Sequence, residues 1–579
     1  MNMNKIFNNI LYLFQWLTFR RKVQFFLIVI FSVFVSAIEM AAVGSIVPFI
    51  STLLDSKSVF GDNLIFYLKE VFQITTKDNL IATLGIIFVT FSIITAICRS
   101  VLIYIISYYS NVVLAEIGKT IYNQKLNESF LEFVSKSSDE IIALISSKLL
   151  QVYGVITGVL LFFTSLLLLF SIFTILLFID FRLTLVSMFV FGFLYLIVIF
   201  FSRKTLLKNS RIISQNQTLM VKNLQEGVGS IRDIILDGNQ KIYVNSFSKL
   251  IFERGFKVAI NDLLAQSPRF LLETVGLILI STFLFLFSNT ENGVMSIFPV
   301  LSALALGAQR VMPLMNQIYT NYSSIISNSH QLNETILALK NKKIYYQYND
   351  VKKLIFSKKI RLEDVSFRYK NNLPNVYENI NFQITKGTKI GILGKTGVGK
   401  STLLDLIMGL LHPTSGKIYV DDSPIEQNNM SLWRKKVTHV PQDIFLINGS
   451  ILENIALGLK NEEIDRDKAE DCAKKSEIFD FIHSLPDQFN ETVGERGIKL
   501  SGGQKQRIGI ARALYRESEL IVLDEATNAL DTGTEKKIID SIDKFESITI
   551  IIVAHRIDTL KICDKVYEVK KNKITEVNI

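Results

Sequence analysis

Cysteine is scarce in this chain of 579 residues, which contains only Cys98, Cys472 and Cys563. The three lie far apart and none has a second cysteine at Cys-x-x-Cys spacing. An odd number of isolated cysteines argues against a disulfide framework and indicates reduced thiols with a structural role.

The N-terminus lacks the pattern of a cleaved signal peptide, a short apolar core followed by a small-residue cleavage site. We therefore expect no cleaved leader. The first long apolar stretch would itself serve as the targeting signal.

The chain also lacks a stripe of basic and aromatic residues, although its net charge is +10. Nucleic-acid binding is therefore not expected. The basic excess instead fits a bias of Lys and Arg toward cytosolic loops and anionic lipid headgroups.

Apolar residues are abundant and unevenly distributed. They make up 49% of the chain, and its mean hydropathy is +0.33. Up to about Thr320 the sequence is dominated by Ile, Leu, Phe and Val, whereas after about Lys340 it has the mixed composition of a soluble domain. The sequence therefore predicts a membrane half followed by a cytosolic half.

Six apolar stretches are long enough to cross a bilayer, which takes roughly 20 helical residues. They are approximately Val23–Leu53, Ile81–Tyr108, Gly154–Ile179, Leu183–Phe201, Phe270–Ser288 and Met295–Ile318. The predicted domains are an interfacial helix at 1–22, a six-span transmembrane domain at 23–328, a linker at 329–357 and a nucleotide-binding domain at 358–579.

The loops between spans predict three further helical features. Two long cytosolic arms continue the spans and break near Glu132–Glu140 and Leu236–Lys241. We interpret them as elements that transmit motion, although simple solvated connectors remain the alternative. An amphipathic stripe at Asn63–Ile74 predicts a helix on the outer side.

A phosphate-binding loop opens the soluble half. Residues 394–401 match G-x-x-x-x-G-K-[ST], between a strand, KIGILG, and a helix, STLLDLIMGLL. Its glycines let backbone N–H groups converge on phosphate oxygens at the positive end of the helix dipole. Lys400 is expected to reach the outer phosphates, and Ser401 to ligate Mg²⁺. The predicted ATP-binding residues here are Gly394, Lys395, Thr396, Gly397, Val398, Gly399, Lys400, Ser401 and Thr402.

The segment ELIVLDEAT (Glu519–Thr527) predicts a buried strand that ends in two carboxylates. Asp524 is placed to hold Mg²⁺, directly or through water. Glu525 points to where an attacking water would sit.

The segment LSGGQKQRIGIARAL (Leu500–Leu514) predicts a second helix terminus that binds anions. Ser501 can cap this helix, and Gly502 and Gly503 allow another backbone to approach closely. Because one ATP does not need two such termini in one subunit, we predict two subunits facing head to tail, with each nucleotide held by one terminus from each.

The segment from about Lys359 to the end resembles the ATPase domain of ABC transporters. The resemblance implies an α-helical six-span transmembrane domain followed by an α/β P-loop ATPase domain of the ABC type, with ATP and Mg²⁺ as cofactors and a homodimer of twelve spans. It assigns adenine stacking to Tyr369, Mg²⁺ sensing to Gln442, catalysis to Glu525 with Gln442 and His555, the signature motif to Leu500, Ser501, Gly502, Gly503 and Gln504, and an interface loop to Asp531. Mg²⁺ would be held by Ser401, Gln442 and Asp524.

Charged residues inside the predicted spans are candidate substrate ligands, because such charges are costly in a bilayer and usually face the interior of the helix bundle. Two interpretations remain open: interhelical salt bridges, or a cationic lining for an anionic headgroup. The residues are Glu39, Arg99, Arg269, Glu273 and Arg310.

Both halves also resemble the bacterial lipid-linked oligosaccharide flippases of the PglK type. The matching segments are FSVFVSAIEMAAVGSIVPFI, SPRFLLETVG and QRVMPLMNQIY. The resemblance implies flipping of an undecaprenyl-pyrophosphate oligosaccharide from the inner to the outer leaflet, and it assigns basic substrate positions to Arg99, Arg269 and Arg310. Gln317 departs from it, because another arginine is expected there.

Three hypotheses follow. The first is a lipid-linked glycan flippase, and the second is an exporter of small amphipathic molecules, drugs or peptides. The third is a non-transport ATPase with a scaffold function. The predicted location is the bacterial inner membrane, with the ATPase domain in the cytosol.

Overall fold

A computed structural model describes residues 3–53, 76–135, 137–179, 181–288, 293–340, 354–526, 533–534, 537–538, 540, 548–554 and 556–578. The chain divides into two compact units. The first contains residues 1–127 and 136–343, and the second contains residues 128–135 and 344–579.

The first unit is helical. Its helices are Met3–Trp16, Phe19–Leu53, Lys77–Leu126, Ser138–Ala143, Leu149–Ile179, Phe181–Gly229, Ile231–Asp237, Gln240–Ser288, Gly293–Ser327 and Ser329–Lys340, with one π-helical turn at Leu144–Lys148. The short helix Phe130–Val134 belongs to the second unit.

Four helical segments in the described part of the chain are long and apolar enough to cross a membrane: Phe19–Ile50, Lys77–Leu126, Ser138–Phe178 and Thr184–Gly229. They cover the first four predicted spans. Helices Gln240–Ser288 and Gly293–Ser327 contain the remaining two predicted spans, and the count of six stays a prediction. The predicted outer helix at Asn63–Ile74 lies outside the described residues.

The long helices greatly exceed the thickness of a bilayer. Helix Lys77–Leu126 has 50 residues and at 1.5 Å per residue spans roughly 75 Å, against a hydrocarbon core of about 30 Å. This helix is therefore long enough to extend well beyond a bilayer, and its extension as a cytosolic arm stays a prediction. The second predicted arm breaks at Gly238, whose left-handed backbone (φ +68°) ends helix Ile231–Asp237.

Three of the long helices share a buried hydrophobic core. Val35, Ile106, Ile117, Val152 and Ile172 are each fully buried, and they come from helices Phe19–Leu53, Lys77–Leu126 and Leu149–Ile179. These side chains fix how the helices are rotated against one another.

The predicted linker at 329–357 does not begin as a connector. Residues Ser329–Lys340 form a helix, and Leu332, Ile336 and Leu339 on it are buried. Their spacing of four and three residues is that of one helical face. The helix belongs to the helical unit, and residues 341–353 lie outside the described part of the chain.

The second unit contains two sheets. The strands are Lys359–Phe367, Tyr377–Thr385, Lys389–Leu393, Ser415–Val420, Ser423–Pro424, Val437–Val440, Leu520–Asp524, Thr549–Val553, Lys565–Lys570 and Lys573–Val577. Its helices, besides Phe130–Val134, are Lys400–Ile407, Met430–Arg434, Ile451–Ile455, Arg466–Lys475, Phe479–His483, Gly502–Tyr515 and Ile557–Leu560, with 3₁₀ turns at Asn461–Glu463, Gln488–Asn490 and Glu495–Gly497.

One sheet has four antiparallel strands, and the other has six. In the six-stranded sheet the order is Lys573–Val577, Lys565–Lys570, Lys389–Leu393, Thr549–Val553, Leu520–Asp524 and Val437–Val440. Its last five strands run parallel. The loops that follow these parallel strands therefore leave from one edge of the sheet, where ligands bind in open α/β folds.

Candidate functional site

Four of the sequence motifs follow neighbouring parallel strands. The phosphate loop follows Lys389–Leu393, Asp524 ends the strand Leu520–Asp524, and Gln442 follows Val437–Val440. Between the first two lies the strand Thr549–Val553, after which His555 would come. The strand order thus brings motifs that are far apart in sequence to one edge.

The phosphate loop is held in shape by its own lysine. The Nζ atom of Lys400 donates to the carbonyl oxygens of Gly394, at 2.7 Å, and Lys395, at 3.4 Å. Gly394, Gly397 and Gly399 have positive φ angles of 155°, 84° and 107°, which favour glycine. The loop is therefore folded as an anion cradle at the start of helix Lys400–Ile407.

Two tyrosines brace this cradle. The hydroxyl of Tyr377 donates to the carbonyl of Gly399 at 2.9 Å, and this ring is fully buried. The hydroxyls of Tyr369 and Thr402 lie 2.9 Å apart, and Tyr369 keeps a partly exposed ring beside the loop. An exposed aromatic face next to the phosphate loop is suited to stack a nucleotide base.

Oxygen-bearing side chains gather where Mg²⁺ is expected. Burial and the charge of Glu525 raise the pKa of Asp524, while Lys400 and His439 act against them. Burial and the charge of Asp524 also raise the pKa of Asp405, to about 6. Such crowding of carboxylates is relieved by a divalent cation.

The donor set fits Mg²⁺ and would hold it through Ser401 and Asp524. No group of three His, Cys, Asp or Glu residues that could form a metal cage occurs in the described residues. Mg²⁺ commonly binds through one or two carboxylates together with substrate phosphates and waters. When bound, it would neutralise charge on the phosphates.

Glu525 has an unusual backbone conformation for its residue type. Its φ is +52°, and its N–H donates to the carbonyl of Val553 at 3.0 Å. A non-glycine residue in the left-handed region costs about 1–3 kcal/mol, and such residues concentrate at functional sites. The hydrogen bond holds Glu525 at the end of the strand that carries Asp524.

The signature helix packs against two hydrophobic clusters, one of which holds its Ile510 and Ala513 together with residues of strands Leu520–Asp524 and Thr549–Val553. Ser501 and Gln504 form a reciprocal capping box, with bonds of 3.3 and 2.8 Å, at the start of Gly502–Tyr515. The helix buries Ile508 and Ala511 in a cluster separate from the one beneath the phosphate loop. Ser501 and Gly502 are exposed, so this helix terminus presents its backbone N–H groups to the outside.

The remaining predicted ATP-site residues are placed as follows. Lys395, Thr396, Ser401 and Gln442 are exposed, and Val398, Leu500, Gly503 and Gln504 are partly buried. Asp531 and His555 lie outside the described residues, so their roles stay predictions.

The helical unit brings three of the predicted intramembrane charges together. The Oε1 atom of Glu39 lies 3.2 Å from Nη1 of Arg99 and 3.6 Å from Nη1 of Arg310. Glu39 is completely buried, whereas the side chains of Arg99 and Arg310 are 30% and 38% exposed. We call this group the Glu39 cluster.

The third basic candidate is arranged differently. Arg269 pairs with Glu273 one turn along its own helix at 2.7 Å, and the Arg269 side chain is 61% exposed. Gln317, the departure from the flippase pattern, accepts a hydrogen bond of 3.0 Å from the Ser165 hydroxyl. The structure therefore joins Arg99 and Arg310 but gives Arg269 a local partner.

Sequence reasoning missed Asp405 and Tyr377. Asp405 carried a signal, because it lies four residues after Ser401 on the same helical face. Tyr377 carried none, because its bond to Gly399 depends on how the two sheets pack.

Comparisons with known proteins relate the chain to ABC transporters. Residues 377–528 match the model of a family described as "ABC transporter". The chain is 36% identical over 219 residues to an "ATP-dependent lipid A-core flippase" from Chromohalobacter salexigens, covering 38% of each protein. It is 28% identical over 485 residues to a "putative export ATP-binding/permease protein" from Rickettsia bellii, covering 81% of this chain and 82% of that protein.

A solved structure described as a bacterial Atm1-family ABC exporter with ATP bound superposes with a TM-score of 0.76. It covers 96% of this chain and 94% of that one at 18% identity, which shows the fold. Several curated relatives are aligned over less than half of their own length.

Residues 377–528 of the C-terminal domain thus match the ABC transporter family model, and the chain as a whole has the fold of the solved ABC exporter.

Proposed function

We propose that two copies of this chain form an ATP-driven flippase for a lipid-linked oligosaccharide. The lipid would be an undecaprenyl pyrophosphate, moved from the inner to the outer leaflet of the bacterial cytoplasmic membrane. The observation that carries the proposal is the coexistence of an ATP cradle with the Glu39 cluster, a net positive group within apolar helices.

The site geometry supports the ATPase part. Lys400 would leave its loop carbonyls for the outer phosphates, Ser401 and Asp524 with Gln442 would hold Mg²⁺, and Glu525 would orient the attacking water. Such phosphoryl transfer depends mainly on positioning and electrostatic stabilisation. Gln442 and His555 complete the site through the family resemblance.

The homodimer is supported by the second candidate anion-binding terminus. Ser501 and Gly502 are exposed at the start of a helix other than the one that begins at the phosphate loop. A second copy facing the first would bring Ser501 of one chain to the ATP held by the other. Asp531 is assigned to the same interface.

The anionic lipid is inferred from charge. Two arginines and one glutamate leave the Glu39 cluster with one net positive charge, and unpaired charge within a membrane usually marks a substrate path. Similarity to a protein described as a lipid A-core flippase is consistent with a lipid cargo.

The test measures flipping by purified protein in vesicles, with defined polyprenyl-pyrophosphate sugars in the leaflet that corresponds to the cytosolic one. ATP should drive the lipid-linked sugar to the opposite leaflet in the natural protein, and no such flipping should occur with the Glu525→Gln variant. Replacing both Arg99 and Arg310 by glutamine should lower the number of lipids flipped per ATP hydrolysed. If flipping and hydrolysis fall in step, the two arginines are structural.

An exporter of amphipathic molecules remains the second candidate. The pairing of Arg269 with Glu273 favours it, because a locally neutralised arginine needs no anionic cargo. That candidate predicts stimulation of ATP hydrolysis by amphipathic amines and none by polyprenyl-pyrophosphate glycans.

A further inference from the structure

Glu39 is a carboxylate enclosed by the helical unit with an incomplete set of partners. It is completely buried, on helix Phe19–Leu53. Its Oε1 atom faces both Arg99 and Arg310, whereas its Oε2 atom is buried and has no hydrogen-bond partner in the described part of the chain. Buried ions are usually stable only when their remaining lone pairs are satisfied.

Glu39 also leaves most of the hydrogen-bond donors of the two arginines unused. A structural arginine–carboxylate pair typically uses two parallel hydrogen bonds, one to each oxygen. Here both guanidinium groups converge on one oxygen, at 3.2 and 3.6 Å. Each guanidinium has five N–H donors, and both side chains remain about one-third exposed.

We propose that Glu39 is an internal counter-anion of the substrate site. It holds Arg99 and Arg310 together when no substrate is present, and it gives way when a phosphate or pyrophosphate group binds them. A pyrophosphate offers more charge and more acceptor oxygens than one carboxylate, so it can engage donors that Glu39 leaves open. The inference rests on the proposed function, because it concerns the same candidate site.

The proposal makes the net charge of the cluster decide affinity. The charge is +1 in the natural chain, +2 in Glu39→Gln, 0 in Arg310→Gln and +1 in the double variant that combines Glu39→Gln with Arg310→Gln. Affinity for an anionic lipid should therefore be highest in Glu39→Gln, intermediate in the natural chain and the double variant, and lowest in Arg310→Gln. Glu39→Gln keeps the side-chain size, so charge is the main change.

The experiment measures the Kd of undecaprenyl pyrophosphate for nucleotide-free full-length protein in nanodiscs of neutral lipid. Glu39→Gln should bind about tenfold tighter, a change of about 1.4 kcal/mol and near the lower end for close charge pairs. Arg310→Gln should bind about tenfold weaker, and the double variant should return close to the natural Kd. Undecaprenol, which has no phosphate, should show none of these changes.

A purely structural role predicts a different order. All three variants would then bind more weakly and unfold at lower temperature, with the double variant weakest, and that result would overturn the proposal. If Glu39→Gln fails to fold, the Kd of Arg310→Gln is compared with that of the double variant. Only a counter-anion role predicts that the double variant binds the lipid more tightly than Arg310→Gln. Glu226→Gln is the matched control, since Glu226 pairs with Lys222 on an exposed surface and should leave this order unchanged.

The flippase proposal and the counter-anion proposal can be refuted independently of each other. If the order of affinities holds but the vesicles flip no lipid-linked sugar, Glu39 acts as a counter-anion for another anionic cargo. If flipping occurs and Glu39→Gln does not tighten binding, the cargo proposal stands and the counter-anion proposal is wrong.

Discussion

Replacing Asp405 by asparagine is expected to stabilise the ATPase domain at neutral pH. Burial and the neighbouring charge of Asp524 raise the pKa of Asp405 from 3.8 to about 6. An acid whose pKa is higher in the folded state binds more protons when folded. Its favourable contribution is therefore complete below about pH 4 and is lost as the pH rises through about 6.

The size of the effect follows from the two pKa values. The difference between 3.8 and about 6 corresponds to at most about 3 kcal/mol in the free energy of unfolding. Because the Asp405 carboxyl is partly exposed, solvent screening reduces this figure, and we expect about 1–2 kcal/mol at pH 7.5. The gain should fall to about half at pH 5 and disappear towards pH 4.

A tryptophan is well placed to report this change. Trp433 is fully buried, and its Nε1 donates at 2.8 Å to the carbonyl of Ile407, at the end of the helix that carries Asp405. Trp16 is the other tryptophan in the chain, so a Trp16→Phe background isolates the signal. Denaturant unfolding of the full chain, followed by this fluorescence between pH 4.5 and 7.5, gives the difference.

Asp421 supplies a control of opposite sign. Burial alone would raise the pKa of Asp421, but hydrogen bonds from Lys359, Ser357 and Lys358 lower it. Asp421→Asn should therefore destabilise the domain at pH 7.5, with a smaller loss at acidic pH. The reasoning about Asp405 is refuted if Asp405→Asn is no more stable at pH 7.5, or if its gain does not change with pH.

Three further predictions concern the ATP site. Glu525→Gln should lower turnover by at least about 100-fold while ATP stays bound, and an unchanged turnover number would remove its assigned role. Ser501→Ala should destabilise the start of the signature helix by about 1 kcal/mol, visible as faster hydrogen exchange in Gly502–Tyr515; equal exchange would mean that Gln504 alone secures the cap. Gly394→Ala places a Cβ atom 2.6 Å from the carbonyl oxygen of Val569, so the loop must shift. With roughly 1.4 kcal/mol of strain, ATP should bind at least about tenfold more weakly. An unaltered ATP Kd would show that the loop tolerates the shift.

The conformation of the phosphate loop was predictable because its geometry is local. The cradle lies within residues 394–401, and its glycines have the conformations that the motif requires. The capping box of Ser501 and Gln504 spans three residues. Asp405 shows the limit of this reasoning, since its burial near Asp524 depends on packing between a helix and a strand.

The first residues of the predicted linker show what composition alone misses. The many polar residues of Ser329–Lys340 concealed a helical face formed by Leu332, Ile336 and Leu339. Composition averages over a segment, whereas burial depends on which side of a helix each residue occupies. The periodicity was present in the sequence and indicated a helix more reliably than its polarity indicated a connector.

The cargo depends on interactions that hydropathy cannot predict. Hydropathy places Glu39, Arg99 and Arg310 within apolar helices, but it does not fix how those helices are rotated about their axes. Only that rotation decides whether the charges neutralise each other or face an anionic ligand. Because two arginines share one carboxylate oxygen, the answer is neither extreme: the cluster is paired and still carries one positive charge. The residues of the phosphate loop carry no information about the cargo, so the charge of this cluster is the structural feature on which an anionic lipid and a neutral amphiphile would be distinguished.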